Sequence, residues 1–327
     1  MSHRSLVLPI CTSLFCTLAG GCTEPSSASH KHSQTSIHQP PTFSADYPIK
    51  VVCTTAQVAD MLENIGGEHV EVVSMMGAGV DPHLYKATPS DMSLFQRSDI
   101  IFYNGMHLEG RLADLLVRYA RRKPTFAVTE GLQDAKDPRL REPEEFAGHY
   151  DPHIWHDALL WSECVRYAAE QLQAFDPPHA DQYAANAEAY TAQLKSEHER
   201  FKLRLAAIPA ERRVLVTAHD AFGYFGQAYD IEVRALQGIS TVSEADLGTI
   251  QELIDLLVDR KIKAVFIESS VPRRNIDSLI EGCQDLGHRV KVGGELFSDA
   301  MGQAGTPEAI YLGMMRYNVE TIVQALE

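Results

Sequence analysis

Residues 179–208 read HADQYAANAEAYTAQLKSEHERFKLRLAAI, a pattern that predicts one long helix near the middle of the 327-residue chain. Pro177 and Pro178 precede this stretch, and Pro209 ends it, because proline cannot continue a helix. Its apolar residues recur at three- and four-residue steps and form one stripe: Tyr183, Ala187, Tyr190, Leu194, Phe201, Leu205 and Ile208. At 1.5 Å per residue the helix would span roughly 45 Å, enough to bridge two lobes.

Short β-branched runs alternate with helical segments on both sides of this helix. The first set is Ile49–Thr54, Val70–Met75, Ile100–Tyr103 and Phe126–Thr129, and the second is Val214–Thr217, Ile231–Ala235, Ala264–Ile267 and Val290–Val292. Strands that alternate with helices predict parallel sheets, and two sets of four predict two lobes. We therefore expect an α/β protein with two lobes, each holding a four-stranded, mainly parallel sheet flanked by helices. The predicted boundaries are an N-terminal lobe at 47–176, a rigid linking helix at 177–209 and a C-terminal lobe at 210–327.

The N-terminus predicts export and lipid anchoring. Arg4 precedes the apolar run Leu6–Leu18, and Ala19-Gly20-Gly21 stands directly before Cys22. This order is typical of a lipoprotein signal peptide covering residues 1–22, with Cys22 as the lipidated residue. An ordinary cleaved secretory signal is the alternative. Residues 23–46 are polar and predict a flexible tether, so the protein is expected in the periplasm or at the cell surface.

Composition excludes some classes of protein and of metal site. The formal net charge of −15 argues against a nucleic-acid partner, which would need a basic face. Beyond the signal peptide and Cys22 only three cysteines remain, an odd number without a CxxC pair: Cys53, Cys164 and Cys283. We expect buried thiols here and no cysteine metal site. The tether histidines could collect metal weakly but are better interpreted as part of a solvated linker: His30, His32 and His38.

Four potential metal ligands follow strands or precede helices. The triplet Asp-Pro-His occurs twice and ends at His83 and at His153, where proline restricts the backbone before each imidazole. His219 follows the run Val214–Thr217, and Asp299 follows the last predicted strand. Ligands of parallel α/β sheets bind beyond the carboxyl ends of the strands. Three neutral imidazoles and one carboxylate suit zinc, and with a bidentate carboxylate also manganese or iron.

Seven motifs resemble one family in order along nearly the whole mature chain: GVDPHLYKATPSD, NGMHLEG, DPHIWHD, TAHDAFGYF, ISTVSEAD, FIESS and FSDAMG. They resemble the zinc/manganese solute-binding proteins of ABC transporters, the TroA-like group. The resemblance implies one divalent metal ion, held between the lobes by His83, His153, His219 and Asp299. It also implies delivery to a permease and its ATPase by a monomeric, high-affinity binding protein that is not an enzyme.

The identity of the metal stays open. Relatives specialised for manganese usually carry glutamate in place of His219, and zinc specialists usually carry a long histidine-rich loop after the first ligand. This chain has neither feature, since LYKATPSD follows His83. Because an unperturbed histidine titrates near pH ~6.5, the ligand types alone predict an affinity that is flat at neutral pH and falls in mild acid.

A second layer of residues is expected to orient the imidazoles, because a ligating histidine usually donates its other N–H to a carboxylate or carbonyl. Glu268, at the end of a predicted strand, is the preferred candidate. Glu244, Asp220 and Asp157 are further candidates, each of which could instead be a helix cap or a surface charge. His156 could substitute as a ligand, but the family pattern favours a bystander.

Three other functions compete with metal delivery. A zinc hydrolase would keep an open coordination position, and the sequence lacks HExxH, a P-loop and a GxSxG elbow. A chelate- or cobalamin-binding protein could share the long-helix architecture but would need a wide, shallow cleft. A surface adhesin is the third alternative, without a supporting motif.

Overall fold

A four-stranded parallel sheet forms the centre of the N-terminal half. The computed structural model describes residues 42–146, 148–243 and 245–327. The sheet has the strand order β2-β1-β3-β4, with pairs such as Val51 opposite Val72 and Ile100. The elements of this half are β1 Ile49–Cys53, α1 Ala56–Gly66, β2 Val70–Ser74, α2 Pro89–Arg97, β3 Ile100–Tyr103, α3 Ala113–Ala120, β4 Thr125–Ala127, α4 Glu130–Asp134 and α5 Ala158–Phe175.

The C-terminal half also contains four strands, but they are hydrogen-bonded as two parallel pairs, β5-β6 and β7-β8. Its elements are β5 Val214–His219, α7 Gly223–Tyr229, β6 Glu232–Gln237, α8 Leu247–Asp259, β7 Ala264–Glu268, α9 Arg274–Asp285, β8 Lys291–Leu296 and α10 Tyr311–Leu326. β5 and β7 lie side by side, and the Glu268 carboxylate accepts the backbone N–H groups of Ala218 and His219 at 2.7 and 2.9 Å. Where these strands end, the Glu268 side chain therefore accepts hydrogen bonds that a backbone carbonyl of a neighbouring strand would otherwise accept.

The long helix is α6, Ala180–Leu205, which has 26 residues and a length of about 39 Å. It lies against α1 and α5 of the N-terminal half and against α10 of the C-terminal half, so it bridges both halves as predicted. The predicted apolar stripe is buried. Glu197, which interrupts the stripe, pairs with Arg316 of α10 at 3.0 Å, and His198 is buried. The predicted fold class is confirmed.

The two halves form one unit, so the predicted lobe boundaries stay predictions. The predicted signal peptide, Cys22 and most of the tether lie outside the described residues. Within the described part of the chain, no helix combines the length and apolar character needed to cross a bilayer. The three cysteines within the described residues, Cys53, Cys164 and Cys283, are buried free thiols, as expected.

A buried carboxylate fixes the joint between α5 and α6. Asp176 accepts hydrogen bonds from the hydroxyls of Tyr47 and Tyr183, both at 2.6 Å, and from Nδ1 of His179 at 2.8 Å. Burial alone would raise the pKa of Asp176, but these three hydrogen bonds lower it below its ordinary value. A lowered folded-state pKa stabilises the fold above the unfolded pKa of ~3.9, and this contribution is lost as pH falls through the folded pKa.

Replacing Asp176 by alanine should therefore destabilise the protein at neutral pH by about 2–4 kcal/mol, because the buried Tyr183 hydroxyl loses its partner. Urea unfolding followed by circular dichroism measures the change. Glu188→Ala, at an exposed position of α6, is the matched control and should change stability by less than about 0.5 kcal/mol. Equal stabilities for the two variants would contradict the role of Asp176.

Candidate metal centre

The two Asp-Pro-His triplets form matching turns in the N-terminal half. Oδ1 of Asp81 accepts the backbone N–H of His83 at 2.8 Å, and Oδ1 of Asp151 accepts that of His153 at 3.0 Å. Each aspartate thus closes a local turn that fixes the backbone of the histidine two residues later. The first triplet follows β2, and the second precedes a 3₁₀ turn, Ile154–His156, that leads into α5.

The C-terminal half supplies the other two side chains from the ends of its strands. His219 is the last residue of β5, and Asp299 follows β8. N-terminal residues hold the segment around Asp299: Nε1 of Trp155 donates to the Ser298 carbonyl at 2.8 Å, and Nε2 of Gln57 donates to the Asp299 carbonyl at 3.0 Å. The Asp299 segment is therefore positioned by both halves of the molecule.

The structure brings His83, His153, His219 and Asp299 together in one buried cluster. One donor atom from each residue lies within 4.8 Å of the other three. Nε2 of His153 is 3.3 Å from Nε2 of His83 and 3.3 Å from Oδ1 of Asp299, and Nε2 of His219 is 3.2 Å from Oδ2 of Asp299. Each of the four residues is at most 3% exposed. The four donor atoms therefore surround one small volume that is shielded from bulk solvent.

Several atoms of this cluster have no polar contact outside it that meets hydrogen-bond geometry. Within the described residues, both carboxylate oxygens of Asp299 and Nε2 of His219 are buried without a hydrogen-bond partner beyond the charge contacts of Asp299 with the His153 and His219 rings, at 3.3 and 3.2 Å. A buried polar atom without a partner costs free energy, so a fold retains such atoms where something else satisfies them. A divalent cation accepts electron pairs from imidazole nitrogens and carboxylate oxygens together and is chemically suited to this donor set.

Two carboxylates orient the imidazoles of His219 and His153 by contacting their Nδ1 atoms, which lie away from the cluster. Oε2 of Glu268 lies 2.5 Å from Nδ1 of His219, and Oδ1 of Asp151 lies 2.7 Å from Nδ1 of His153. Each contact fixes the Nδ1–H tautomer and turns Nε2 towards the cluster. The sequence analysis selected Glu268 for this role but not Asp151. In fact one oxygen of Asp151 serves both the backbone and the ring of His153, a geometry that the triplet itself could have suggested.

The remaining sequence candidates lie elsewhere. Oδ1 of Asp157 caps the N-terminus of α5, and Asp220 lines a neighbouring cavity beside β6. Glu244 lies outside the described residues. The ring of His156 is buried against Phe222, 4.4 Å between ring centroids, and neither of its nitrogens has a hydrogen-bond partner in the described part of the chain. His156 does not belong to the four-residue cluster.

The carboxylates raise the pKa values of two imidazoles. Burial lowers the pKa of His153, but hydrogen bonds and charge from Asp151 and Asp299 outweigh burial and raise it to about 9. Burial also acts against protonated His219, yet the charges of Glu268 and Asp299 raise its pKa well above the ordinary value. Burial would raise the pKa of Asp299, but His219 and His153 hold it far below the usual range.

His83 behaves differently from the other two histidines. Burial is the main cause that lowers its pKa to about 3, so this imidazole is neutral at physiological pH. The raised pKa values of His153 and His219 favour a proton on each of these rings at neutral pH when no metal is bound, because each ring lies between carboxylates. The sequence-based expectation of an affinity that is flat at neutral pH and falls in mild acid used an unperturbed histidine, so the raised pKa values move the expected fall in affinity to higher pH.

Comparisons with known proteins agree on one family. The sequence model described as ZnuA, the periplasmic zinc-uptake complex component A, matches residues 51–325. The manganese-binding lipoprotein MntA of Bacillus subtilis is 45% identical over 284 residues, which cover 87% of this chain and 92% of that protein. The zinc-binding protein TroA of Treponema pallidum is 43% identical over 282 residues, covering 86% and 90%.

Solved structures lead to the same family. The structure of the periplasmic zinc-binding protein TroA from Treponema pallidum superimposes with a TM-score of 0.81 at 42% identity and covers 86% of this chain and 99% of that one. Residues 51–325 match the family model, and two relatives exceed 40% identity over most of their length. The chain therefore belongs to the ZnuA family, the substrate-binding proteins of metal ABC transporters.

Proposed function

We propose that this protein captures one divalent transition-metal ion outside the cytoplasm and delivers it to an ABC import permease and its ATPase. The proposed ligands are Nε2 of His83, His153 and His219 and the carboxylate of Asp299. The supporting observation is the convergence of one buried donor atom from each of these four residues within 4.8 Å of one another.

Carriage of an ion fits this donor set better than catalysis does. A catalytic zinc site keeps three protein ligands and an open position for water, whereas four protein donors close a tetrahedral shell. Cobalamin or a metal chelate would need a wide cleft, and all four donor residues here are buried. We therefore propose a bare metal ion as the cargo and a monomer as the functional form.

Replacing any one proposed ligand by alanine should weaken Zn²⁺ binding by well over tenfold, because each removes one of four donors from a buried shell. Competition against a fluorescent chelator at pH 7 measures the dissociation constant. Two histidines serve as controls: His156→Ala removes a buried imidazole outside the cluster, and His107→Ala removes an exposed one. Both controls should change affinity by less than threefold, and a His156→Ala loss as large as that of His153→Ala would contradict the ligand set.

The site should prefer zinc to manganese in vitro. The relatives are named for manganese, zinc and, for MtsA of Streptococcus pyogenes at 33% identity, iron. Nitrogen-rich sites bind zinc more tightly than manganese in the general order of divalent affinities. His219→Glu adds a hard oxygen donor and should narrow the ratio of the two affinities. A competition titration in which this substitution widens the zinc preference would contradict the account of selectivity.

Metal binding should release protons and strengthen with rising pH. At pH 7 the ion must displace protons from His153, whose pKa is about 9, and from His219, whose pKa is raised as well. Affinity should therefore rise between about pH 6 and pH 9, by up to about tenfold per pH unit for each proton displaced. Isothermal titration in buffers of different protonation enthalpy counts the protons.

Asp151→Asn provides the internal control for this experiment, because it removes a charge that raises the pKa of His153. Fewer protons should then be released per ion at pH 7 than from the parent protein. No proton release from the parent at pH 7, together with an affinity that stays constant from pH 6 to pH 8, would overturn the proposed protonation of the metal-free site.

We propose that Cys22 is lipidated and anchors the protein to a membrane through the tether. The small residues before Cys22 support this proposal, as do relatives named lipoproteins, such as MntA. Cys22→Ser should shift the protein out of the membrane fraction or leave an uncleaved precursor. Membrane fractionation and the mass of the mature N-terminus measure both results. A Cys22→Ser protein with unchanged fractionation and cleavage would contradict lipid anchoring at this residue.

A further inference from the structure

The guanidinium group of Arg141 contacts the Asp151 carboxylate that orients His153. Arg141 belongs to the segment between α4 and the second Asp-Pro-His triplet, and its Nη1 donates to Oδ2 of Asp151 at 3.2 Å. The backbone N–H of Arg141 donates to the Tyr224 hydroxyl at 3.1 Å, and that hydroxyl donates to the Asp151 carbonyl at 3.1 Å. Arg141 and Tyr224 thus hold both the side chain and the backbone of Asp151.

The guanidinium of Arg141 occupies space that only a glycine leaves open. A Cβ atom at Gly223 would lie 0.8 Å from Nη1 of Arg141 and 2.0 Å from its Cζ. Gly223 is the first residue of α7 and has no positive φ, so its backbone does not require glycine. Glycine is therefore needed at this position because a side chain would occupy the space of the guanidinium. As a result, an arginine of the N-terminal half packs against a glycine of the C-terminal half.

Asp151 depends on this partner because both of its oxygens are engaged. Oδ1 accepts the backbone N–H and contacts Nδ1 of His153, and Oδ2 accepts Arg141. The carboxylate is completely buried, and a buried charge that loses its partner is strongly destabilised. Without the guanidinium, the buried Asp151 carboxylate would lose its charge partner and would rotate or become hydrated. Either change would weaken its contact with Nδ1 of His153.

We propose that Arg141, seated against Gly223, is a positioning residue for metal binding that acts on His153 through Asp151. This inference rests on the proposed function of the four-residue cluster. It also links the two halves, because the orientation of an N-terminal ligand depends on α7 being packed against the Arg141 segment. Movement of α7 away from this segment would release the guanidinium and loosen His153, which favours release of the ion.

A double-mutant cycle tests the proposal on the full mature chain with Zn²⁺ as the probe. Arg141→Ala removes the guanidinium, and Gly223→Ala displaces it without removing it, because the flexible side chain must give way to the new Cβ. Each variant should weaken Zn²⁺ binding by about tenfold, as is typical for loss of outer-shell support. The double variant should bind no more weakly than Arg141→Ala alone, since there is then no guanidinium to displace.

A second readout reports on the ring itself. In ¹⁵N-histidine NMR of the Zn²⁺-loaded protein, the Nδ1–H of His153 should be protected from exchange in the parent and should exchange faster in both single variants. Arg139→Ala is the matched control, because this arginine lies in the same segment but pairs with Asp137 at 2.6 Å. It should leave both affinity and exchange unchanged. Thermal unfolding of the metal-free variants verifies that each is folded.

Three results would overturn the proposal: affinity within twofold of the parent for Arg141→Ala, tighter binding by that variant, or a full additional loss from Gly223→Ala in the Arg141→Ala background. The Zn²⁺ affinity of His153→Ala tests the proposed ligand set independently of the positioning role. If His153→Ala retains affinity, the ligand set is wrong. If His153→Ala loses affinity and Arg141→Ala does not, only the positioning role is wrong.

Discussion

The site depends on one buried carboxylate shared between two imidazoles. Asp299 offers Oδ1 to His153 and Oδ2 to His219, at 3.3 and 3.2 Å, and these histidines come from opposite halves of the chain. Such an arrangement holds only if the two halves keep a fixed spacing. Helix α6, which packs on α5 and α10, supplies a rigid element along both halves, and the Asp299 carbonyl is held by Gln57.

The cluster concentrates charge in a buried site, and each charged group has a partner of opposite charge within it. Asp151 and Glu268 contact the Nδ1 atoms of His153 and His219, while Asp299 faces their Nε2 atoms. The raised pKa values of His153 and His219 favour a proton on each imidazole when no metal is present, and these two positive charges offset two of the three carboxylate charges. A divalent ion brings the same two positive charges, so exchange of two protons for one ion leaves the net charge of the site unchanged. Because the net charge stays the same, neither loading nor release of the ion leaves an additional uncompensated charge in the buried site.

Much of the architecture could be predicted from the sequence, because it follows from local patterns. The prolines and the apolar stripe defined α6 to within three residues at each end. His83, His219 and Asp299 could be selected because they follow parallel strands, and His153 because its Asp-Pro-His triplet repeats that of His83 ahead of a helix; the fold brings all four together. Glu268 could be selected for the same reason, as the last residue of β7.

The remaining features depend on distances that a linear pattern does not contain. The C-terminal strands pair as β5-β6 and β7-β8, and the Glu268 carboxylate at the end of β7 accepts two backbone N–H groups at the end of β5. The contact of Asp151 with Nδ1 of His153 and the seat of Arg141 against Gly223 join residues whose relation appears only in three dimensions. The raised pKa of His153 follows from these neighbours and not from its residue type.

Anomalous diffraction at the zinc absorption edge, from crystals grown with one equivalent of Zn²⁺, tests the central claim most directly. We expect one anomalous peak about 2.0–2.1 Å from three imidazole Nε2 atoms, those of His83, His153 and His219, and about 2.0–2.2 Å from a carboxylate oxygen of Asp299. A peak bound by His156, or one with water in place of Asp299, would contradict the account.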